Sequence, residues 1–248
     1  MKILSVRSLS RWVAIATLGW ATASAAVAQS QCPQFYPQVQ PQFPAGLYSQ
    51  LREVCFDAFV SLHSGQTRTP VLTVERLTRE QLAQAQDEER TNRFYPEARL
   101  PSADRAHLDD YKDSGYDRGH MAPAGDMPNA QAMAQSFSLA NIVPQAPYNN
   151  RHTWAGIEKA TRKFVMRAEG PVYVFTGPVF MEPVRKIGPN QVWVPTHLFK
   201  LVYDQMGRRA WAYWVDNTDA ARASRPITYQ TLVARTGVEF LPGIMVRD

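Results

Sequence analysis

An α+β fold, with a central, mainly antiparallel sheet flanked by helices, follows from three features of the sequence. Segments rich in Val, Trp, Tyr and Phe follow one another at Val172–Thr176, Val192–Asp204 and Arg209–Asp216, and each reads as a strand. No helical crossover separates them, as an antiparallel arrangement requires. One amphipathic segment, His152–Ala168, stands apart from them in the middle of the chain.

Val71–Leu77 reads as a strand. Thr78-Arg79-Glu80-Gln81 has the form of a capping box, so a short helix should follow to about Glu89. Asn92–Asp117, rich in Pro, Asp and Arg, reads as long loops. Ala130–Phe137 is a short helix and Leu139–Val143 a short strand. In His152–Ala168 the apolar residues Trp154, Ile157, Ala160, Phe164 and Val165 recur with a helical period, and charged residues fill the gaps. Ile227–Arg235 reads as a last helix, with Gly237 behind it as the C-cap.

Composition bounds the class. The 248 residues are 45% hydrophobic and 20% charged, which excludes a disordered chain, a collagen or a coiled coil. Residues 1–28 read as a secretory signal peptide. Lys2, Arg7 and Arg11 precede an uncharged stretch that ends in Ala26-Val27-Ala28, an A-x-A cleavage pattern. Without those three cations the formal charge falls from +5 to +2, so basicity alone argues little about partners. The protein is therefore expected to be exported, periplasmic or secreted, and free of the membrane after cleavage. Residues 29–70 form a Pro/Gln-rich segment, and residues 71–248 form one domain. In an oxidising compartment Cys32 and Cys55 are expected to pair, the alternative being two buried thiols.

Two clusters carry candidate chemistry. In Asp117-Arg118-Gly119-His120 a glycine permits close approach of backbone and ligand, and the histidine offers a base near neutrality. With an ordinary pKa near 6.5, such a base predicts a rate that rises through about pH 6–7. Asn150, Trp154 and Glu158 are spaced by four, so they climb one side of a helix. Asn150 and Glu158 supply oxygens suited to a hard cation such as Mg2+. Spacing alone equally fits a solvated face with Asn150 as an N-cap. Arg162, one further turn on, adds a cation to that side.

The runs Asp117-Arg118-Gly119-His120-Met121-Ala122-Pro123, Asn141-Ile142-Val143-Pro144-Gln145 and Asn150-x3-Trp154-x3-Glu158 together resemble the DNA/RNA non-specific endonucleases. Arg93-Phe94, Thr176-Gly177-Pro178 and Val194-Pro195-Thr196-His197 extend the resemblance, which runs from about Thr73 to Pro242. It implies a ββα-metal motif, two strands and a helix around one divalent cation. Carried over residue by residue, it makes His120 the general base and Asn150 the direct metal ligand. Glu158 becomes the holder of metal-bound water, and Arg93 the arginine that stabilises the transition state. Arg118 becomes the arginine near the phosphate and Asn141 an active-site asparagine, while Arg162 joins them as a substrate-side residue through its spacing alone. The implied cofactor is Mg2+, with Mn2+ able to substitute, and the implied substrates are DNA and RNA, cut to leave 5′-phosphates. A non-catalytic nucleic-acid binder and a phosphodiesterase for small nucleotides are the alternatives. The oligomeric state stays open, a homodimer included.

Overall fold

Seven strands, all paired antiparallel, form the centre of the computed structural model, which describes residues 30–247. The signal peptide expected at 1–28 lies outside the described residues. The strands are β1 (Leu51–Cys55), β2 (Phe59–Ser64), β3 (Thr69–Leu77), β4 (Asp117–His120), β5 (Ile142–Gln145), β6 (Val172–Val179), β7 (Lys186–Ile187), β8 (Val192–Trp193), β9 (His197–Asp204), β10 (Arg209–Asp216) and β11 (Ile227–Thr228). The helices are α1 (Arg79–Gln84), α2 (Leu108–Tyr111), α3 (Ala130–Ser136), α4 (Ala155–Val165) and α5 (Tyr229–Thr236). The main sheet runs β1-β2-β3-β6-β9-β10-β11, while β4-β5 and β7-β8 make two separate ribbons. The α+β reading therefore holds.

Alternation along the strands divides the core. Leu72 and Val74 of β3, Tyr173 and Phe175 of β6, Phe199 and Leu201 of β9, and Ala210 and Ala212 of β10 are buried together on one face. They pack against α5, Phe240 and the Cys32–Tyr36 segment. On the other face Val174, Val202 and Leu77 meet Val165 of α4. There Leu198 and Val215 meet Trp154, Ile157 and Val143. Those last contacts seat α4 and the β4-β5 ribbon side by side on the sheet.

Several local expectations are met. Thr78 and Gln81 close a reciprocal capping box at α1, and β10 has the expected bounds. Gly237 ends α5 at φ +70°, where a side chain would be strained. Cys32 and Cys55 form a disulfide, 23 residues apart, across the apolar face. Glu53 stands beside it and accepts hydrogen bonds from Ser30, Tyr36 and Gln40. The sulfurs are bonded to each other, so this cluster is no seat for a cation.

Other expectations need correction. The segment 29–70 is not set apart, because β2 pairs with β3 and β1 with β2, so that the two complete one edge of the main sheet. Val192–Asp204 is two strands in different sheets, and Pro195, which has no N–H to give to a ladder, lies between them. Leu139–Asn141 is a 3-10 turn, and the strand starts only at Ile142.

Candidate active site

The site forms where the β4-β5 ribbon lies against the start of α4. In the ribbon Asp117 pairs with Gln145 and His120 with Ile142. Gly119 is required here, since a Cβ at that position would overlap the Gln145 side chain. The fully buried Asn141 extends the pairing beyond His120. Its Oδ1 accepts from the Ala122 N–H (2.8 Å), and its Nδ2 donates to the Ala122 and Ser136 carbonyls (2.8 and 2.9 Å). The Asn141 expected on the substrate side thus lies behind the ribbon, with its amide bonded to backbone. Both ends of its amide are spent on backbone, so it shapes the segment behind His120 rather than facing solvent.

His120 is buried between aromatic rings, with Phe94 at 5.5 Å and Phe137 at 4.9 Å between centroids. Burial, reinforced by the Arg90 charge, pushes its pKa down to about 3. The imidazole is therefore neutral around pH 7, as a base must be. It does not titrate between pH 6 and 7, so the rise expected there from an ordinary histidine is not its own. Glu158 is the group that titrates near that interval, its pKa pushed up to about 7 by burial, with Asp126 adding to the shift.

Helix α4 is preceded by a π-helical turn over Asn149–Trp154. This wider turn sits between two anchors. Asn149 donates to the Asp216 carbonyl (3.1 Å), and Trp154 is buried against β5, β9 and β10. π turns often mark functional positions. Asn150 is no N-cap, because the turn has no side-chain cap. Its Nδ2 instead donates to Asp117 (2.9 Å), and Arg151 clamps the same carboxylate with bonds of 2.8 and 2.6 Å. The Asn150 amide is thus held by its nitrogen, which leaves its oxygen as the free end.

The cations divide between rim and interior. Arg118 is exposed, its guanidinium 4.2 Å from the Phe94 ring centroid. Arg162 gives its ion pair to the buried Asp126 (2.7 Å), one turn beyond Glu158. Arg93 is exposed, and the arginine whose charge bears on both His120 and Glu158 is Arg90, its guanidinium 5.1 Å from the Phe137 ring. The run Glu89-Arg90-Thr91-Asn92-Arg93-Phe94 holds both arginines, and only the path of the loop tells them apart.

Beneath the site the sheet contributes groups that carry no motif. Lys200 of β9 is 1% exposed. Its Nζ donates to Thr176 Oγ1 (2.7 Å) and lies 5.4 Å from the centre of the Trp154 ring. Glu75 of β3 is equally buried, and neither of its carboxylate oxygens has a hydrogen-bond partner. Burial, with Asp126 nearby, holds its pKa well above the usual carboxylate range. Their strand positions gave no signal beyond a charge in an otherwise apolar run.

A family model for the DNA/RNA non-specific endonucleases matches residues 39–246. The chain belongs to this family. The chain is 34% identical over 206 residues to Nuclease C1 of Cunninghamella echinulata var. echinulata, covering 77% of this chain and 81% of that one. Human mitochondrial endonuclease G is 34% identical over 157 residues, 59% of this chain and 52% of its own length. Mitochondrial Nuclease 1 of Schizosaccharomyces pombe is 36% identical over 58% of this chain and 48% of its own. The chain thus spans about half the length of these mitochondrial relatives. A solved EndoG/EndoGI complex, described as showing the mechanism of EndoG inhibition, aligns with a TM-score of 0.73 at 25% identity, over 88% of this chain and 94% of that one.

The endonuclease family uses a metal, and the residues here fit a hard divalent cation. The free Asn150 oxygen and the Glu158 carboxylate, whose neighbour Arg162 is committed to Asp126, are both oxygen donors. Among the described residues no Cys/His set lies here that would suit a structural zinc.

Proposed function

We propose that the protein is an exported, Mg2+-dependent endonuclease that hydrolyses phosphodiester bonds of DNA and RNA with little sequence discrimination and leaves 5′-phosphates. The observation that carries this reading is the Asp117–Asn150 bond beside a neutral, aromatic-walled His120. It orients one oxygen donor from the same strand that carries the base, and hydrolysis of an anionic ester needs both.

His120 takes a proton from the attacking water. Asp117 orients Asn150, whose free oxygen would hold the cation, and Glu158 would hold the water around it. When bound, Mg2+ supplies Lewis-acid stabilisation of charge on the phosphate and on the leaving oxygen. Arg90, rather than Arg93, supplies the protein's own positive charge beside the reacting phosphate. Arg118 on the rim contacts phosphate, and such contacts position a strand without reading bases. The Cys32–Cys55 disulfide supports export to an oxidising compartment. No helix among the described residues is long and apolar enough to cross a membrane.

Digestion of closed circular plasmid and of RNA, with Mg2+ and with EDTA, tests the reading. Both substrates should be cut, the plasmid through nicked and linear forms, and EDTA should stop the reaction. Binding without Mg2+-stimulated cleavage, or full activity in checked metal-free enzyme, would overturn it.

A further inference from the structure

The π turn and α4 also line an open surface cavity of about 470 Å3 whose lining includes neither Asn150 nor Glu158. Tyr148 and the exposed His152 form one side, their rings tilted together at 4.5 Å. Arg222 reaches over Tyr148, its guanidinium 5.3 Å from the ring centroid. Gly156 and Ala160 of α4 and Tyr213 of β10 complete the lining. The loop that carries Arg222 is pinned in place. Tyr148 N–H donates to Asp219 (2.7 Å), Thr153 Oγ1 to the Ala221 carbonyl (3.0 Å), and Arg222 Nη1 to the Ala220 and Ala221 carbonyls (2.9 Å each). These bonds fix the loop side of the cavity.

Gly156 adds an independent observation. It sits inside α4, where glycine weakens a helix relative to alanine. A Cβ there would meet nothing within 4 Å, so packing does not demand glycine. Its effect is to leave the cavity wall open.

We propose that this cavity receives a nucleobase of the substrate strand, next to the phosphodiester held at His120 and Asn150, and that the strand is unstacked there. The proposal rests on the endonuclease reading. Tyr148 and His152 bracket Asn150 on a single turn. The cavity therefore lies about one helix diameter, roughly 10 Å, from the Asn150 side chain, within reach of a neighbouring nucleotide. Every base has an apolar π-face that an aromatic edge and a fixed guanidinium accept, and a lining with few polar atoms reads no base identity. This keeps the site tolerant of sequence while favouring single-stranded or locally opened substrate.

Gly156→Leu puts a helix-favouring side chain into the cavity and keeps the fold, while Tyr148→Ala removes the aromatic edge. Both are assayed with Mg2+ on a short single-stranded oligonucleotide, on the same strand carrying abasic sites, and on duplex plasmid. Each variant should raise KM on the single strand roughly 5- to 100-fold, the range of one lost base stack, and leave kcat near wild type. Wild type should lose a similar factor on the abasic strand, the variants should lose little more, and plasmid nicking should suffer least. Unchanged KM in both folded variants, or equal KM of wild type for intact and abasic strands, overturns the proposal. So does a change in oligomeric state by size exclusion with KM unaltered, which would make the cavity an interface between copies. Should wild type cut neither substrate, the endonuclease reading fails on its own. Anisotropy binding of the two strands then decides for the cavity, and equal Kd values sink it.

Discussion

The two faces of the main sheet are built from the same strands and serve opposite ends. On one face Phe175, Phe199, Leu201, Leu72 and Val74 pack with α5 and Phe240, and the Cys32–Cys55 disulfide ties the N-terminal segment across them. On the other, the same strands turn Ser61, Thr73, Glu75, Thr176 and Lys200 inward, each no more than 1% exposed. Burying such groups costs stability unless they are paired, and Glu75 and Thr73 Oγ1 have no hydrogen-bond partner. The polar face is the one that carries α4 and the β4-β5 ribbon, and with them His120, Asn150 and Glu158. Both faces bury apolar side chains, but the buried charges are gathered under the site on one of them.

The comparison can be broken from either side. His120→Ala, on the polar side, should lower turnover by roughly 10²–10⁴-fold, the contribution of a positioned acid–base group. Single-turnover cleavage reads that loss, and denaturant unfolding should show a far smaller change than any large truncation on the dry face. A variant that cuts at the wild-type rate would remove His120 from the chemistry. Phe175→Ala, on the dry face, should lose about 3–5 kcal/mol in urea unfolding. The molecules that remain folded should keep their kcat, and a selective loss of kcat would show that the two faces are not independent.

Smaller effects sharpen the contrast. Replacing both cysteines by serine should cost about 3 kcal/mol through the freed loop, with KM and kcat unaltered. The remaining effect, read as a profile and not as a single magnitude, is the pH dependence of stability in EDTA. Burial depresses His63 from 6.5 to about 4 and His120 from 6.5 to about 3, both on the polar side of the sheet. The unfolded chain takes up these protons as pH falls through 6.5, and the folded chain only near 4 and 3. Stability present above pH 6.5 should therefore be lost progressively toward pH 3. Glu158, raised from 4.5 to about 7, works in the other direction. Its contribution is complete below pH 4.5 and lost as pH rises through 7. Stability should thus decline on both sides of an intermediate pH, and thermal melts of His63→Leu should show a shallower acid limb. An unchanged acid limb would mean that His63 is not held neutral by its burial.

What was readable in the chain alone lies in short-range pattern. The Thr78–Gln81 capping box, the bounds of β10 and the Gly237 cap depend on a few neighbouring residues, and the structure reproduces them. The Asp117–His120 run and the Asn150, Trp154 and Glu158 spacing placed the chain in its family for the same reason. Tertiary structure alone decided what depends on contacts between distant residues. Asn141 turned inward because Ala122, 19 residues away, offered it two backbone partners. Arg90 lies over the Phe137 ring that packs on His120, which its place in the sequence does not foretell. Strands β1 and β2 joined the sheet by pairing toward β3, although a Pro/Gln-rich stretch precedes them. Lys200 reached Thr176 and Trp154 through the β6-β9 register, which sets Thr176 opposite Lys200. Local propensity is written within a turn or a strand. Which charge ends up beside which is set by register and loop path, and these form only when segments far apart in sequence pack together.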